Sequence, residues 1–208
     1  MMSEKRKSVV YLVIKRLFDV IASLVGIILL IPITIIIGGA ILIEDGGPVF
    51  FQQKRVTRYG RTFHLLKFRS MVVNAVNLRD GMDKENEMDG PVFKVRNDRR
   101  ITKVGRFIRK TGIDEMPQFI NILMGSMSFV GPRPALPSEV AQYDERARKR
   151  LSVKAGITCI WQVQPKRNSI SFDDWMKMDA EYVDNCSLGL DIRIIFRTVV
   201  AVLRAEGE

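Results

Sequence analysis

The stretch VIASLVGIILLIPITIIIGGAILI, Val20 to Ile43, runs 24 residues without a charge, and only Ser23 and Thr34 are polar. As a straight helix it measures about 36 Å, enough to cross a hydrocarbon core of about 30 Å. A transmembrane helix is therefore the first reading. The run is too long for a cleavable signal segment and has no small-residue cleavage site. Pro32 argues for something else. It splits the run into Val20–Ile31 and Ile33–Ile43, each reaching only about the bilayer midplane. Proline also removes a backbone donor and kinks a helix. Charge points the same way. Lys5, Arg6, Lys7, Lys15 and Arg16 precede the run, and Lys54, Arg55, Arg58, Arg61, Lys67 and Arg69 follow it. Both flanks fit the cytoplasmic side under the positive-inside rule, in which Glu44 and Asp45 count little. A helix that enters, bends at Pro32 and returns satisfies both. The expectation is a re-entrant membrane hairpin over residues 1–45, ahead of a cytoplasmic domain over 46–208.

The chain of 208 residues carries 33 Lys and Arg against 23 Asp and Glu, a net charge of +10. That excess points to a polyanionic partner: nucleic acid, an anionic membrane or a phosphorylated substrate. Cys159 and Cys186 are the only cysteines, and reduced thiols in a cytoplasmic setting are expected. The single histidine, His64, leaves almost nothing from which to build a zinc site or a histidine-based triad. It reads as a structural residue in a strand.

The fold class expected is α+β and mainly helical: the N-terminal re-entrant helix-break-helix, a small β-hairpin and amphipathic surface helices. The hairpin is placed at 49–68, around the glycine-containing turn of TRYGR. A polar loop follows within 71–90, and GPVFKV (90–95) reads as a further short strand. Helical spacing begins at Ile101, with Val104 and Ile108 on one face. A second helix is expected from Asp114 or Glu115 to about Met124. GSMSFVGPRPALP (125–137) reads as a loop stiffened by its prolines. Helices are expected again at 138–150 and, behind a cap at Ser171, at 172–185. The segment 190–204 is apolar with Arg193, Arg197 and Arg204 interspersed, which suits a helix packed on the core or one lying on a membrane surface, the latter favoured because the N-terminal hairpin already tethers the domain there.

Within RKTGIDEMPQFIN (109–121), Asp114 and Glu115 admit two readings. Acids favour a helix start, and capping alone explains the pair. Chemistry is the alternative. A carboxylate at a helix end beside arginines is held as an anion, and an ionised aspartate can attack phosphorus. The same helix end offers amides to a phosphate, and a carboxylate can hold Mg²⁺ against a diphosphate. Arg99, Lys103, Arg106 and Lys110 share a helical face nearby. No GxxxxGK loop exists, which argues against a P-loop nucleotide site. GPRP (131–134) restricts the backbone on both sides of Arg133 and would aim its guanidinium. Lys166 and Arg167 in WQVQPKRN (161–168) are further candidates for anion contact.

These segments together resemble the bacterial sugar transferase family, the monotopic phosphoglycosyl transferases. The resemblance runs from KRLFD (15–19) through GPVFFQQKR (47–55), LKFRSM (66–71), the long stretch from Arg100 to Pro134, GITCIWQV (156–163) and DAEYVDNCSLGLDI (179–192). It implies transfer of a sugar 1-phosphate from a UDP-sugar to a polyprenyl (undecaprenyl) phosphate, with release of UMP, at the cytoplasmic face of the bacterial inner membrane. It implies Asp114 as nucleophile, forming a covalent phosphosugar intermediate, with Glu115 assisting. It further implies Mg²⁺ as cofactor with Asp114 as ligand, and Arg109, Arg133 and Arg167 as phosphate-binding residues. Pro32 matches the family's membrane kink, though Ile31 stands where many members have Ser. Arg167 corresponds to an arginine that follows QV in many members. The resemblance also implies a compact catalytic form, without the multi-span N-terminal region that some members carry. Its partners are thus the UDP-sugar, the polyprenyl phosphate and the bilayer, with no nucleic acid. The resemblance over 156–192 leans towards galactose or glucose as the sugar, and the oligomeric state is open, a dimer included.

Two other classes of function remain on sequence grounds. One is a basic membrane-tethered module that binds anionic lipid or nucleic acid without catalysis. The other is a membrane phosphotransferase built on a two-metal carboxylate site, for which the chain has no repeated aspartate motif.

Overall fold

In the computed structural model, Val9–Asp45 forms one 37-residue α-helix (α1) with Pro32 inside it. The structure describes residues 8–79, 86, 87, 89–93, 95, 98–165 and 167–204. Uninterrupted apolar residues carry α1 forward. Gly46 ends it in the left-handed conformation (φ 62°), donating its N–H to Leu42 O at 3.0 Å. Helical residues flank Pro32 on both sides.

One face of α1 packs on the rest of the chain along its whole length. Near its start, Arg16 donates to Ile122 O (2.7 Å) and Leu123 O (2.8 Å). Midway, Gly26 allows Phe119 to approach so closely that an added Cβ would meet its ring at 2.6 Å. Further on, Leu30, Ile37 and Ile41 share a core with Phe68, Ile108 and Met116. At the end, Glu44 accepts from Lys103 N (2.7 Å) and Val104 N (2.9 Å), and Asp45 pairs with Arg69 at 3.1 Å. The opposite face stays exposed and apolar, as at Ile21, Val25, Ile28, Ile35 and Ile36.

The hairpin forms as expected. Phe50–Val56 (β1) pairs antiparallel with Thr62–Phe68 (β2), from Phe50↔Phe68 to Val56↔Thr62. Its tip turns through Tyr59 (φ 60°) and Gly60 (φ 74°). His64 sits in β2 opposite Lys54. After the hairpin come Lys103–Thr111 (α2) and Gln118–Leu123 (α3). The Thr102 side chain caps α2 by accepting from Gly105 N at 2.9 Å.

Three expectations are corrected. First, the second helix does not begin at Asp114. Gly112 (φ 71°) closes α2, residues Ile113–Glu115 form a 3₁₀ turn, and α3 starts at Gln118 behind Pro117. The i→i+3 bonds Met116 N to Ile113 O (3.1 Å) and Phe119 N to Met116 O (3.0 Å) carry the chain past Pro117, which has no N–H to donate. Second, residues 125–137 are not all loop. Met127–Val130 (β3) pairs in parallel with Ala155–Thr158 (β4). Third, 138–150 is not one helix but two single turns, Pro137–Val140 (α4) and Glu145–Arg148 (α5), continued by a 3₁₀ turn to Ser152. The strand expected at 90–95 is not seen among the described residues there; Val92 instead packs under the stacked pair Trp161 and Trp175. Most of the polar loop within 71–90 lies outside the described residues.

Phe172–Asn185 (α6) is capped by Ser171, which accepts from Asp174 N at 3.2 Å. Leu188–Leu203 (α7) both packs and faces outward: Ile194 is buried with Val130 and Tyr182, while Ile192, Phe196 and Val199 are exposed. Both cysteines are free thiols.

Candidate active site

The 3₁₀ turn after Gly112 sets Asp114 and Glu115 against β2. What holds β2 there is the buried Asn121 of α3. Its side chain accepts from Leu66 N (2.9 Å) and donates to His64 O (2.8 Å), so α3 and the strand edge are locked together. That lock delivers Lys67 to the dyad. Lys67 Nζ lies 2.5 Å from Glu115 Oε1 and 3.8 Å from Asp114 Oδ2. Asp114 is buried, with 6% of its surface exposed, while the Glu115 side chain is 30% exposed. Burial pushes the Glu115 carboxyl up, but Lys67, then Arg133 and Arg167, outweigh it and hold it below the usual carboxylate range.

The GPRP loop extends the parallel strand pair. Gly131 N donates to Thr158 O (3.0 Å), and Gly156 N donates to Pro132 O (2.9 Å). The two glycines permit this approach: a Cβ at Gly156 would fall 2.1 Å from Gly131 N. Two buried arginines clamp the loop. Arg150 donates to Arg133 O (2.8 Å) and Arg55 donates to Pro134 O (3.1 Å). Arg150 is itself held by Tyr143 Oη (2.7 Å) and by Asp179 (2.7 Å). Burial, followed by the like charge of Arg133, pushes Arg55 down to about 10. Positive charge is thus crowded beside Glu115, an arrangement that a phosphate would relieve.

Most of the sequence candidates converge here. The charges of Arg133 and Arg167 both reach Glu115. Arg167 opens a 3₁₀ turn and donates to Gln162 O at 3.3 Å. Arg109 lies in the last turn of α2, where its charge acts on Asp98. Lys166 lies outside the described residues. Pro32 belongs to α1, whose Leu30 packs in one core with Ile113 and Met116, the residues flanking the dyad. Sequence reasoning missed Lys67, Arg55 and Arg150 as parts of the site. In the sequence Lys67 reads only as a charge flanking the apolar run, and nothing in its local pattern shows which acid it meets.

Lys67, Glu115, Gln118, Arg133 and Gln162 line a narrow cleft of about 10 Å³. A groove of about 1480 Å³ lies elsewhere, between the start of α1 and residues 144–154 and 180–186. Volume and chemistry disagree, and the titratable groups decide: the acid–lysine–arginine cluster belongs to the small cleft. Among the described residues no three acids, histidines or cysteines gather as a metal site. Mg²⁺ commonly takes only one or two carboxylates, with phosphate oxygens and water completing its octahedron. An acid pair beside a loop that carries an arginine fits that donor set.

The bacterial sugar transferase family matches residues 10–205, and the chain belongs to it. It is 42% identical over 197 residues to the galactosyl transferase CpsE of Streptococcus agalactiae, covering 95% of this chain and 44% of that protein. It is 41% identical over 202 residues to the undecaprenyl-phosphate galactose phosphotransferase of Salmonella typhimurium, covering 93% and 41%. The exopolysaccharide production protein ExoY of Rhizobium meliloti is 37% identical over 198 residues, covering 93% and 87%. The chain therefore spans less than half the length of the first two relatives and most of the third.

Proposed function

We propose that the protein is a phosphoglycosyl transferase seated on the cytoplasmic face of the bacterial inner membrane. It would move a sugar 1-phosphate from a UDP-sugar to undecaprenyl phosphate, in the first membrane step of building a polysaccharide. The observation that carries the reading is the buried Asp114 beside the Lys67–Glu115 pair, which shares a cleft with the clamped Arg133 loop.

In the first half-reaction an Asp114 carboxylate oxygen attacks the β-phosphorus of the UDP-sugar. The P–O bond to the α-phosphate breaks, its electron pair leaves with UMP, and an aspartyl phosphosugar remains. Arg133 and Arg167 balance charge on the phosphate oxygens. Lys67 holds Glu115 in place and keeps it ionised. In the second half-reaction a phosphate oxygen of undecaprenyl phosphate attacks the same phosphorus. The acyl-phosphate bond breaks, freeing Asp114 and yielding the diphosphate-linked sugar. Glu115 is positioned to take a proton from an acceptor phosphate that arrives monoprotonated. Asp114 would hold Mg²⁺, which supplies charge neutralisation on the diphosphate.

Membrane seating draws on α1. It is long and apolar enough to cross a bilayer, yet both of its ends bond to the same folded body, through Arg16 and through Glu44. A helix crossing to the far side would carry one end away from that body. This supports both ends of α1 lying on one side of the bilayer, as the re-entrant reading requires, although the break expected at Pro32 is not seen and α1 runs through it as one helix. Galactose is the favoured sugar, in line with the names of two relatives; another relative is named for N-acetylgalactosamine.

The test is UMP release by the purified chain across UDP-sugars with undecaprenyl phosphate. Activity is expected with UDP-galactose and loss of at least about 10³-fold in Asp114→Asn. Full transfer by that variant would refute the nucleophile.

A further inference from the structure

The large groove that the chemistry does not use has a distinctive wall. Three cations project there against one buried acid of the same wall, Asp19, whose Oδ1 is already taken by Ser128 Oγ (3.0 Å) and Phe129 N (3.0 Å). Arg16 bonds only neutral carbonyls, those of Ile122 and Leu123. The guanidinium of Arg58 stacks 4.7 Å from the ring of Tyr59, and that is its one described contact. Lys154 has no hydrogen bond or ion pair among the described residues. Arg16 and Lys154 flank the same glycine: a Cβ at Gly125 would lie 3.4 Å from Arg16 Nη2 and 3.7 Å from Lys154 Nζ. Burial, then Arg16, pushes the Lys154 ammonium down, and Asp19 opposes them only in part, with Arg58 adding to the fall. The other rim is close to neutral, because Lys149 pairs with Asp184 at 2.6 Å and Asp144 and Glu145 stand beside Arg146 and Arg148. Lys15, also on the wall, is neutralised by Asp191 at 2.8 Å.

The groove is also rimmed with grease. Val9 and Leu12 of α1 line it and are exposed, as is Tyr59 at the hairpin tip, 68% exposed and held at a φ of 60° that non-glycine residues seldom adopt. Lys15 and Leu30 are fifteen residues apart, about 22 Å of helix. The cationic wall belongs to a separate groove, which shares no lining residue with the cleft beside Glu115.

We propose that Arg16, Arg58 and Lys154 form a binding site for the phosphate of an anionic phospholipid headgroup at the N-terminal end of α1. The acyl chains would follow the apolar face of the helix. Its placement at a bilayer rests on the membrane seating proposed above, but not on the transfer chemistry. A soluble phosphate would find the same cations and gain nothing from the apolar rim.

The test is native mass spectrometry of the full chain in detergent, titrated with phosphatidylglycerol or phosphatidylcholine. Wild type is expected to prefer phosphatidylglycerol. Arg58→Gln with Lys154→Gln should weaken that lipid by about fivefold per cation removed, leaving phosphatidylcholine unaffected. Arg58→Lys with Lys154→Arg should restore the preference, which a merely misfolded variant would not. Lys103→Gln with Lys110→Gln, on the exposed face of α2, should leave it intact. An unchanged preference in the first variant, or an equal loss in the α2 variant, would overturn the site. So would displacement of phosphatidylglycerol by millimolar inorganic phosphate, which would assign the site to a soluble anion. UMP release measured on the same samples separates the two proposals, since the headgroup variants are expected to keep it.

Discussion

Lys67 of β2 grips Glu115 at 2.5 Å while standing 3.8 Å from Asp114, so one ammonium serves both acids of the dyad. Lys67→Ala is expected to lower kcat/KM for UMP release by about 10²-fold and to raise the Glu115 pKa, read by carbon NMR titration. The sign for stability follows from the depressed Glu115 carboxyl. Its contribution is present above the unfolded value of about 4.3 and is lost as pH falls through the lower folded value. The melting difference between wild type and Lys67→Ala should therefore be widest near neutrality and shrink below about pH 4. A constant difference would mean that Lys67 acts by packing alone.

Asp179 is buried against Arg150, and burial pushes its carboxyl up to about 6 even with Arg150 opposing. Here the folded value lies above the unfolded one of about 3.9. Its contribution to stability is full below pH 4 and fades as pH rises through 6. Asp179→Asn should abolish that decline in melts between pH 4 and 6. It also leaves Arg150 buried without a counter-charge, a loss of about 3 kcal/mol at pH 7. Because Arg150 holds Arg133 O, the KM for the UDP-sugar should rise too. A wild-type slope retained in the variant would show that Asp179 is ionised throughout.

Gly156→Ala would drive a Cβ to 2.1 Å from Gly131 N. Backbone must move to relieve it, at about 3 kcal/mol. The loop carrying Arg133 moves with it, so activity should fall together with the melting temperature. A fully active, fully stable Gly156→Ala would contradict the glycine-to-glycine packing described here.

Membrane topology is open to labelling. In a background with Cys186→Ser and buried Cys159 retained, cysteines placed at Ser8 and at Gly60 should both react from the cytoplasmic side only. Reaction of the Ser8 position from outside would establish a spanning α1. Glu44→Ala should cost about 1 kcal/mol through loss of the α2 amide contacts, without reversing the orientation.

Much of this protein was legible in one dimension, because some signals are local. The charge-free run, its proline and the basic flanks define an apolar helix, and alternation around TRYGR defines the hairpin. Ser171 marks the start of α6, and Asp114-Glu115 stood out beside a basic helix. Non-local features were not legible. Strands β3 and β4 have four residues each, too short for a period, and they pair across more than twenty residues of intervening chain. Without that pairing 125–137 reads as a loop and the rigidity of GPRP is hidden: Gly156 N donates to it, Thr158 O accepts from it and two buried arginines hold it, beyond its prolines. The sequence suggests a helix start for the dyad because acids favour that position. The structure puts it in a 3₁₀ turn, since Gly112 and Pro117 close off α-helical bonding on either side.

The sequence alone determined which chemistry is available: two adjacent carboxylates, an excess of cations and an apolar helix with a proline at its middle. Tertiary structure alone decided which cation meets which acid. Lys67, Arg133 and Arg167 reach Glu115 from a strand, a clamped loop and a short turn, whereas Arg16, Arg58 and Lys154 gather in a different groove. A charge carries no label of its partner in the sequence; only the packing that brings distant segments together, and the burial that strengthens their fields, makes that assignment.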